Sequence, residues 1–274
     1  MLAHLRVLVT VSIVTLASST AWGQMITAHR GASHDAPENT LAAFRLAWEQ
    51  QADAIEGDFH LTGDGQIICI HDADTLRTCG IKELVVQTPL DELRRLDAGT
   101  WKDPAFAGEK CPTFAEVLKS VPPGKLFYVE LKTGPEIVSV LVEELARLKP
   151  DPKSLVIIAF NAQTVAACKQ QLPEIKVHWL TGFKQAKTAV DAWTPTAEQI
   201  AETVRQTGAD GVGMQGERKV IDRELIDVLK DKGVTEFHIW TIDAPADAQY
   251  FRDLGAMGIT TNRPALIREA LQAR

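Results

Sequence analysis

The chain has no strongly basic tract, and that absence removes the first large class of partners. Its formal net charge is -7 at pH 7, and no run of Lys and Arg exceeds two residues, as in Leu93-Arg94-Arg95-Leu96. A surface that tracks phosphates along a nucleic acid needs clustered cations, so no nucleic acid partner is expected. Cysteine is also scarce. The four residues, Cys69, Cys79, Cys111 and Cys168, fit no zinc-ligand spacing. A Cys79–Cys111 disulfide is chemically allowed in an oxidising compartment and would close the segment between them. No Pro/Gly/Ser linker or low-complexity tract divides the chain, which points to one compact domain.

Long apolar runs are missing too. The sustained one, Val7 to Ala17, falls well short of the roughly 20 residues that span a bilayer. It follows Arg6 and precedes the small residues Ala21 and Gly23, the pattern of a secretory signal peptide over 1–23. Cleavage after Gly23 leaves about 250 residues, enough for one large α/β domain. No Cys sits at the junction, so no lipid anchor is expected, and the product is read as exported, periplasmic or secreted.

Through the remainder, short apolar β-branched runs alternate with segments of helical spacing. Strands are predicted at 25–29, 54–59, 126–131, 155–160, 176–180, 211–214, 236–241 and 257–261. Short, nearly continuous apolar strands separated by helices mean parallel strands covered on the outside. Eight of them, with no Gly-rich dinucleotide fingerprint after the first, predict a (β/α)₈ TIM barrel rather than an open doubly wound sheet. One interval breaks the alternation: Asp64-Gly65 reads as a turn, which makes the following run a hairpin on the second strand. Residues 72–112 then form an irregular insertion, of a length that is usually functional or mobile.

In such a barrel the active site lies at the C-terminal ends of the strands. The first strand ends in His29-Arg30-Gly31, the second carries Glu56 and Asp58 on one face, and the third ends Glu130-Leu131-Lys132. Burying these groups unpaired would cost several kcal/mol each, so packing does not explain them. If the hairpin turn centres on Gly63 to Gly65, His71 falls opposite Asp58. Glu56, Asp58 and Glu130 are hard oxygen donors suited to one divalent cation such as Mg²⁺ or Ca²⁺. Arg30 and Lys132 add positive charge beside it, as a phosphate group requires. His29 and His71 ordinarily titrate near neutrality, so one can take a proton and the other give one. Glu38 is placed to hold Arg30, and Asn39 to cap the first helix.

The runs AHRGASHDAPENTLAAF, IEGDFHLTGDGQIICIHDADTLRTCG, YVELK, IWTID and GITTNRP, taken in order, closely resemble the glycerophosphodiester phosphodiesterase family, within the phosphatidylinositol phospholipase C-like phosphodiesterase superfamily. The resemblance implies a metal-dependent hydrolase that releases an alcohol and glycerol 3-phosphate. It assigns Glu56, Asp58 and Glu130 as metal ligands, His29 and His71 as the acid/base pair, and Arg30 and Lys132 as phosphate contacts. By the same resemblance, Trp240 lines the alcohol pocket and residues 72–112 correspond to a small capping subdomain. Asn262 stands where the family usually has Asp, Gly57 where a bulky residue is common, and Ala159 where Ser is frequent. These departures bear on pocket shape and substrate preference. Two other readings remain: a lysophospholipase D or phospholipase-type enzyme of the same superfamily, and a non-catalytic phosphodiester-binding protein.

Overall fold

The computed structural model describes residues 24–185 and 193–272. The signal peptide expected over 1–23 lies outside the described residues. Among the described residues eleven strands are defined: β1 Met25–Ala28, β2 Ala54–Leu61, β3 Ile67–Cys69, β4 Leu126–Leu131, β5 Leu155–Ala159, β6 Lys176–Thr181, β7 Lys184–Gln185, β8 Trp193–Thr194, β9 Gly211–Gln215, β10 Phe237–Trp240 and β11 Gly258–Thr261. Eight of them follow the order β1-β11-β10-β9-β6-β5-β4-β2, and pairing of β1 with β2 closes the ring. Every pairing around the ring is parallel. These are the eight strands predicted from the sequence, with bounds that differ by at most two residues. The antiparallel pair β7–β8 lies apart from the ring and was not anticipated.

Alternation along each strand decides which side chains face inward. On β4, Phe127, Val129 and Leu131 join the layer beneath the helices, whereas Tyr128 joins Val156, Ile158 and Leu180 in a separate inner cluster. The outer layer is closed by amphipathic helices. In the helix Glu136–Leu148, Ile137, Val138, Leu141 and Leu145 are buried, one stripe at helical spacing. Phe59 of β2 meets Phe114 and Phe127 edge-on at 5.6 and 5.7 Å, contacts worth about 0.5–1.5 kcal/mol each beyond area burial. The bulk expected at Gly57 is supplied from elsewhere: a Cβ there would already lie 3.2 Å from both Phe44 and the Cys69 sulfur.

The hairpin corrects the predicted register by one residue. Phe59 pairs with Cys69 and Leu61 with Ile67, so Ile70 stands opposite Asp58 and donates its N–H to the Asp58 carbonyl at 2.9 Å. A one-residue slip would normally turn His71 to the wrong face. His71 escapes because β3 ends at Cys69, and the His60 ring bonds the His71 carbonyl at 3.1 Å.

The insertion has short helical turns at Leu76–Cys79, Val85–Gln87, Leu90–Leu93 and Pro104–Phe106. Ile70, Val85, Leu93 and Ala98 form a small core beneath it. Cys79 packs against the buried Cys111 in that core, and all four cysteines are free thiols, so the allowed Cys79–Cys111 bridge is not formed.

Candidate active site

The ionisable residues gather at the C-terminal mouth of the barrel because the strand register puts them there. Asp58 on β2 pairs directly with Glu130 on β4, and Glu56 shares the inward face of β2 two residues earlier. One carboxylate oxygen from each of the three lies within 4.8 Å of the others, and all three residues are buried. His29 follows β1, its N–H donating to Thr261 at 2.8 Å. Arg30 and Gly31 then adopt left-handed backbone, with φ of 57° and 81°. That turn aims the Arg30 N–H at Glu56 Oε2, 2.9 Å away. Gly31 is required, since a Cβ there would lie 2.5 Å from the Ala43 carbonyl carbon.

The two cations are held by the same acids. Arg30 Nε lies 3.1 Å from Asp58 Oδ2 and its Nη1 2.9 Å from Glu38, as expected for Glu38. Lys132 Nζ lies 2.6 Å from Glu130 and 3.4 Å from Asp58 Oδ1. His29, Arg30, Glu56, His71, Glu130, Lys132 and Trp240 line one cavity of about 140 Å³, together with Phe160. Trp240 meets Phe160 edge-on at 5.4 Å, so the wall away from the charges is aromatic. Every site residue predicted from the sequence lies at this mouth, Asp58 buried beneath the cavity lining.

Residues 29–266 match the model of the glycerophosphoryl diester phosphodiesterase family. The chain belongs to that family. It is 31% identical over 244 residues to the glycerophosphodiester phosphodiesterase of Caldanaerobacter subterraneus subsp. tengcongensis, covering 88% of this chain and 94% of that one. The Bacillus subtilis glycerophosphodiester phosphodiesterase is 30% identical over 258 residues, covering 88% and 84% of the two chains. Among solved structures, an Oleispira antarctica phosphodiesterase in complex with the product sn-glycerol-3-phosphate superposes with a TM-score of 0.81. That protein is 28% identical, and the match covers 92% of this chain and 98% of the other.

The donor set fits the divalent cation on which glycerophosphodiester phosphodiesterases generally depend. Glu56 Oε1 and Asp58 Oδ1 are buried and accept no hydrogen bond, an unfavourable arrangement that a cation bound between them would relieve. The carboxylates respond to one another as a crowded set does. Burial lifts Glu56 well above its usual range, and Asp58 and Glu130 lift it further. Burial and Asp58 likewise push Glu130 up to about 7, although Lys132 pulls the other way. Burial would raise Asp58 as well, but Arg30 and Lys132 outweigh it and hold Asp58 at about 2. Burial, reinforced by the positive charge of Arg30, lowers His29 to about 4, so its ring is neutral at pH 7.

A pH-dependent cation effect follows from these shifts. Unfolded, Glu130 titrates near 4.5, and folded without a cation near 7, so the folded form holds protons that the unfolded chain has released. Stability contributed by that protonation is complete below the lower value and lost as pH rises through the upper one. A cation bound between the carboxylates would replace the protons. The rise in Tm produced by saturating Mg²⁺ or Ca²⁺ is therefore expected to be larger at about pH 8 than at about pH 5.5, which differential scanning fluorimetry checks.

Sequence reasoning missed the residues that hold this set in place. Asn39 is not the helix cap; Thr40 is, accepting from Ala43 N–H. Asn39 instead has φ 57°, donates Nδ2 to Asp58 at 2.8 Å and accepts the Asp58 N–H at 3.2 Å. Arg77 reaches in from the insertion, pairing with Glu38 at 2.8 Å and with Asp72 at 2.7 Å. Asp72 accepts from His71 Nδ1 at 2.7 Å. The insertion is thereby tied to both predicted histidine neighbourhoods by one guanidinium. Asn262 does not line the cavity; its oxygen lies 2.7 Å from His29 Nδ1, so its substitution for the family's Asp acts on the histidine rather than on pocket shape.

Proposed function

We propose that this enzyme hydrolyses glycerophosphodiesters to an alcohol and glycerol 3-phosphate, with one divalent cation, Mg²⁺ or Ca²⁺, held by Glu56, Asp58 and Glu130. The observation that carries the reading is the convergence of His29, His71, Arg30 and Lys132 on the cavity that Glu56 and Glu130 also line. A bound cation supplies charge neutralisation at the phosphoryl oxygens. Arg30 and Lys132 bind those oxygens and stabilise the charge that builds on them during attack.

His29, neutral and supported at Nδ1, removes a proton from the nucleophile, either water or the neighbouring hydroxyl of the substrate's glycerol. The nucleophile's oxygen forms its bond to phosphorus as the bond to the alcohol oxygen breaks. His71, whose Nδ1 is bonded to the Asp72 carboxylate, delivers a proton to the departing alcohol. Where the hydroxyl attacks first, water then opens the cyclic ester with the two proton transfers reversed. Trp240 and Phe160 offer the alcohol an apolar wall.

A second reading gains support from the insertion, where Leu76, Ile81, Leu84, Val86 and Trp101 are exposed. Such a surface suits a substrate that retains an acyl chain, as in lysophospholipase D activity. Among the described residues no helix is long and apolar enough to cross a membrane, and the pattern of residues 1–23 supports export to the periplasm or medium. The test is metal-stripped protein incubated with glycerophosphocholine, glycerophosphoethanolamine and lysophosphatidylcholine, each cation being restored in turn. Release of choline or ethanolamine from the glycerophosphodiesters supports the first reading, and faster release from the lysolipid the second. No product from any pair would favour a binding protein.

A further inference from the structure

We infer that Asp243, acting through Asn262, is a positioning residue that fixes the tautomer of His29; the inference rests on His29 being the proton acceptor. Asp243 lies in the loop after β10 and accepts three hydrogen bonds. Its Oδ1 takes the Asn262 N–H at 2.8 Å and the Thr261 hydroxyl at 2.9 Å, and its Oδ2 takes Asn262 Nδ2 at 2.6 Å. A carboxylate only accepts, so the NH₂ end of the Asn262 amide has to face Asp243. The amide oxygen then faces His29 Nδ1, 2.7 Å away. An amide oxygen only accepts, so Nδ1 carries the proton. A neutral imidazole has one such proton, which leaves the lone pair on Nε2, where a base needs it.

Ser33 does not decide the matter. Its Oγ lies 2.8 Å from Asn262 Oδ1 and 2.7 Å from the His29 carbonyl, and a hydroxyl can donate to the carbonyl while accepting from a flipped amide. The carboxylate of Asp243 is therefore the group that selects the orientation. It does not line the cavity and reaches His29 through Asn262, yet it specifies which ring nitrogen is free.

The prediction for Asp243→Asn follows from the same bonds. The Asn262 N–H and Thr261 hydroxyl hold the new amide oxygen where Oδ1 was, which puts an NH₂ group where Oδ2 was. Asn262 must then flip, present NH₂ to His29 Nδ1, and move the ring proton to Nε2. The double variant Asp243→Asn/Asn262→Asp restores complementarity: the amide introduced at position 243 donates to the carboxylate introduced at position 262, and that carboxylate accepts from Nδ1–H.

Long-range ¹H–¹⁵N correlation spectra of the full chain read the tautomer directly, the His29 signals being identified by their loss in His29→Asn. The wild type is expected to show the Nδ1–H form. Asp243→Asn should show the Nε2–H form with kcat lower by about 10²-fold and KM little changed, and the double variant should recover both. Retention of Nδ1–H in Asp243→Asn overturns the inference. So does an Nε2–H ring in the double variant, a readout that stands even where the single variant does not fold. Because the tautomer is measured without substrate, failure of the catalytic reading would appear separately, as a wild-type protein with the Nδ1–H ring and no turnover.

Discussion

Alanine at position 29 is expected to lower kcat for glycerophosphodiester hydrolysis by about 10²-fold or more, the usual contribution of a general acid or base, with no change of fold. The expectation rests on where the ring sits. His29 lies on the rim of the barrel, mostly buried but at the edge of the core, and its backbone N–H, which continues the ladder to Thr261, survives the substitution. His71→Ala should lose a similar factor, since Asp72 and His60 hold that ring and its carbonyl but cannot replace its proton. Steady-state kinetics and thermal melts of each purified variant check both statements. A normal kcat in either would remove that histidine from the chemistry.

The largest combined effect is expected for Asp58→Ala. Asp58 is fully buried, is one of three candidate cation ligands, and pairs with Arg30 and Lys132. Removing one partner of a buried ion pair typically costs about 3–5 kcal/mol. The lower end applies, because Arg30 keeps Glu38 and Lys132 keeps Glu130. Activity should fall by on the order of 10³-fold, the upper range for loss of a group that stabilises transition-state charge. The cation-induced rise in Tm should disappear. Calorimetric titration with Mg²⁺ and Ca²⁺ separates the two effects: wild-type cation affinity in a destabilised Asp58→Ala would show that the residue is structural only.

The barrel was legible because its signals are local. Runs such as Leu155–Ala159 are short, apolar and flanked by helical spacing, and a parallel strand buried on both faces leaves that pattern in one dimension. Glu56, Asp58, Glu130 and Lys132 were legible for a related reason: period-two spacing at a strand end puts them on one face without any knowledge of neighbours. His71 reaches the cavity although the predicted register is off by one, since the end of β3 at Cys69 frees it from the ladder.

The supports were less legible. Asn39 looked like a cap because Asn caps helices, but Thr40 competes for that role and wins, leaving Asn39 to brace Asp58 from a left-handed turn. The Asp72 neighbour of His71 was visible and could have been read as its orienting carboxylate. Arg77, Asn262 and Asp243 depend on contacts 39, 233 and 19 residues apart along the chain, and no periodicity encodes those. The Asn262 departure from the family pattern was the one sequence clue to the His29 environment.

Cation-dependent diester hydrolysis is tested most directly by a ³¹P NMR time course of glycerophosphocholine with the metal-stripped enzyme, followed by addition of Mg²⁺ or Ca²⁺. No change is expected before the cation, then loss of the diester signal and growth of a single monoester, glycerol 3-phosphate, both slowed by about 10²-fold or more in His29→Ala. Phosphocholine as the monoester, or undiminished turnover in the stripped enzyme, would contradict this reading.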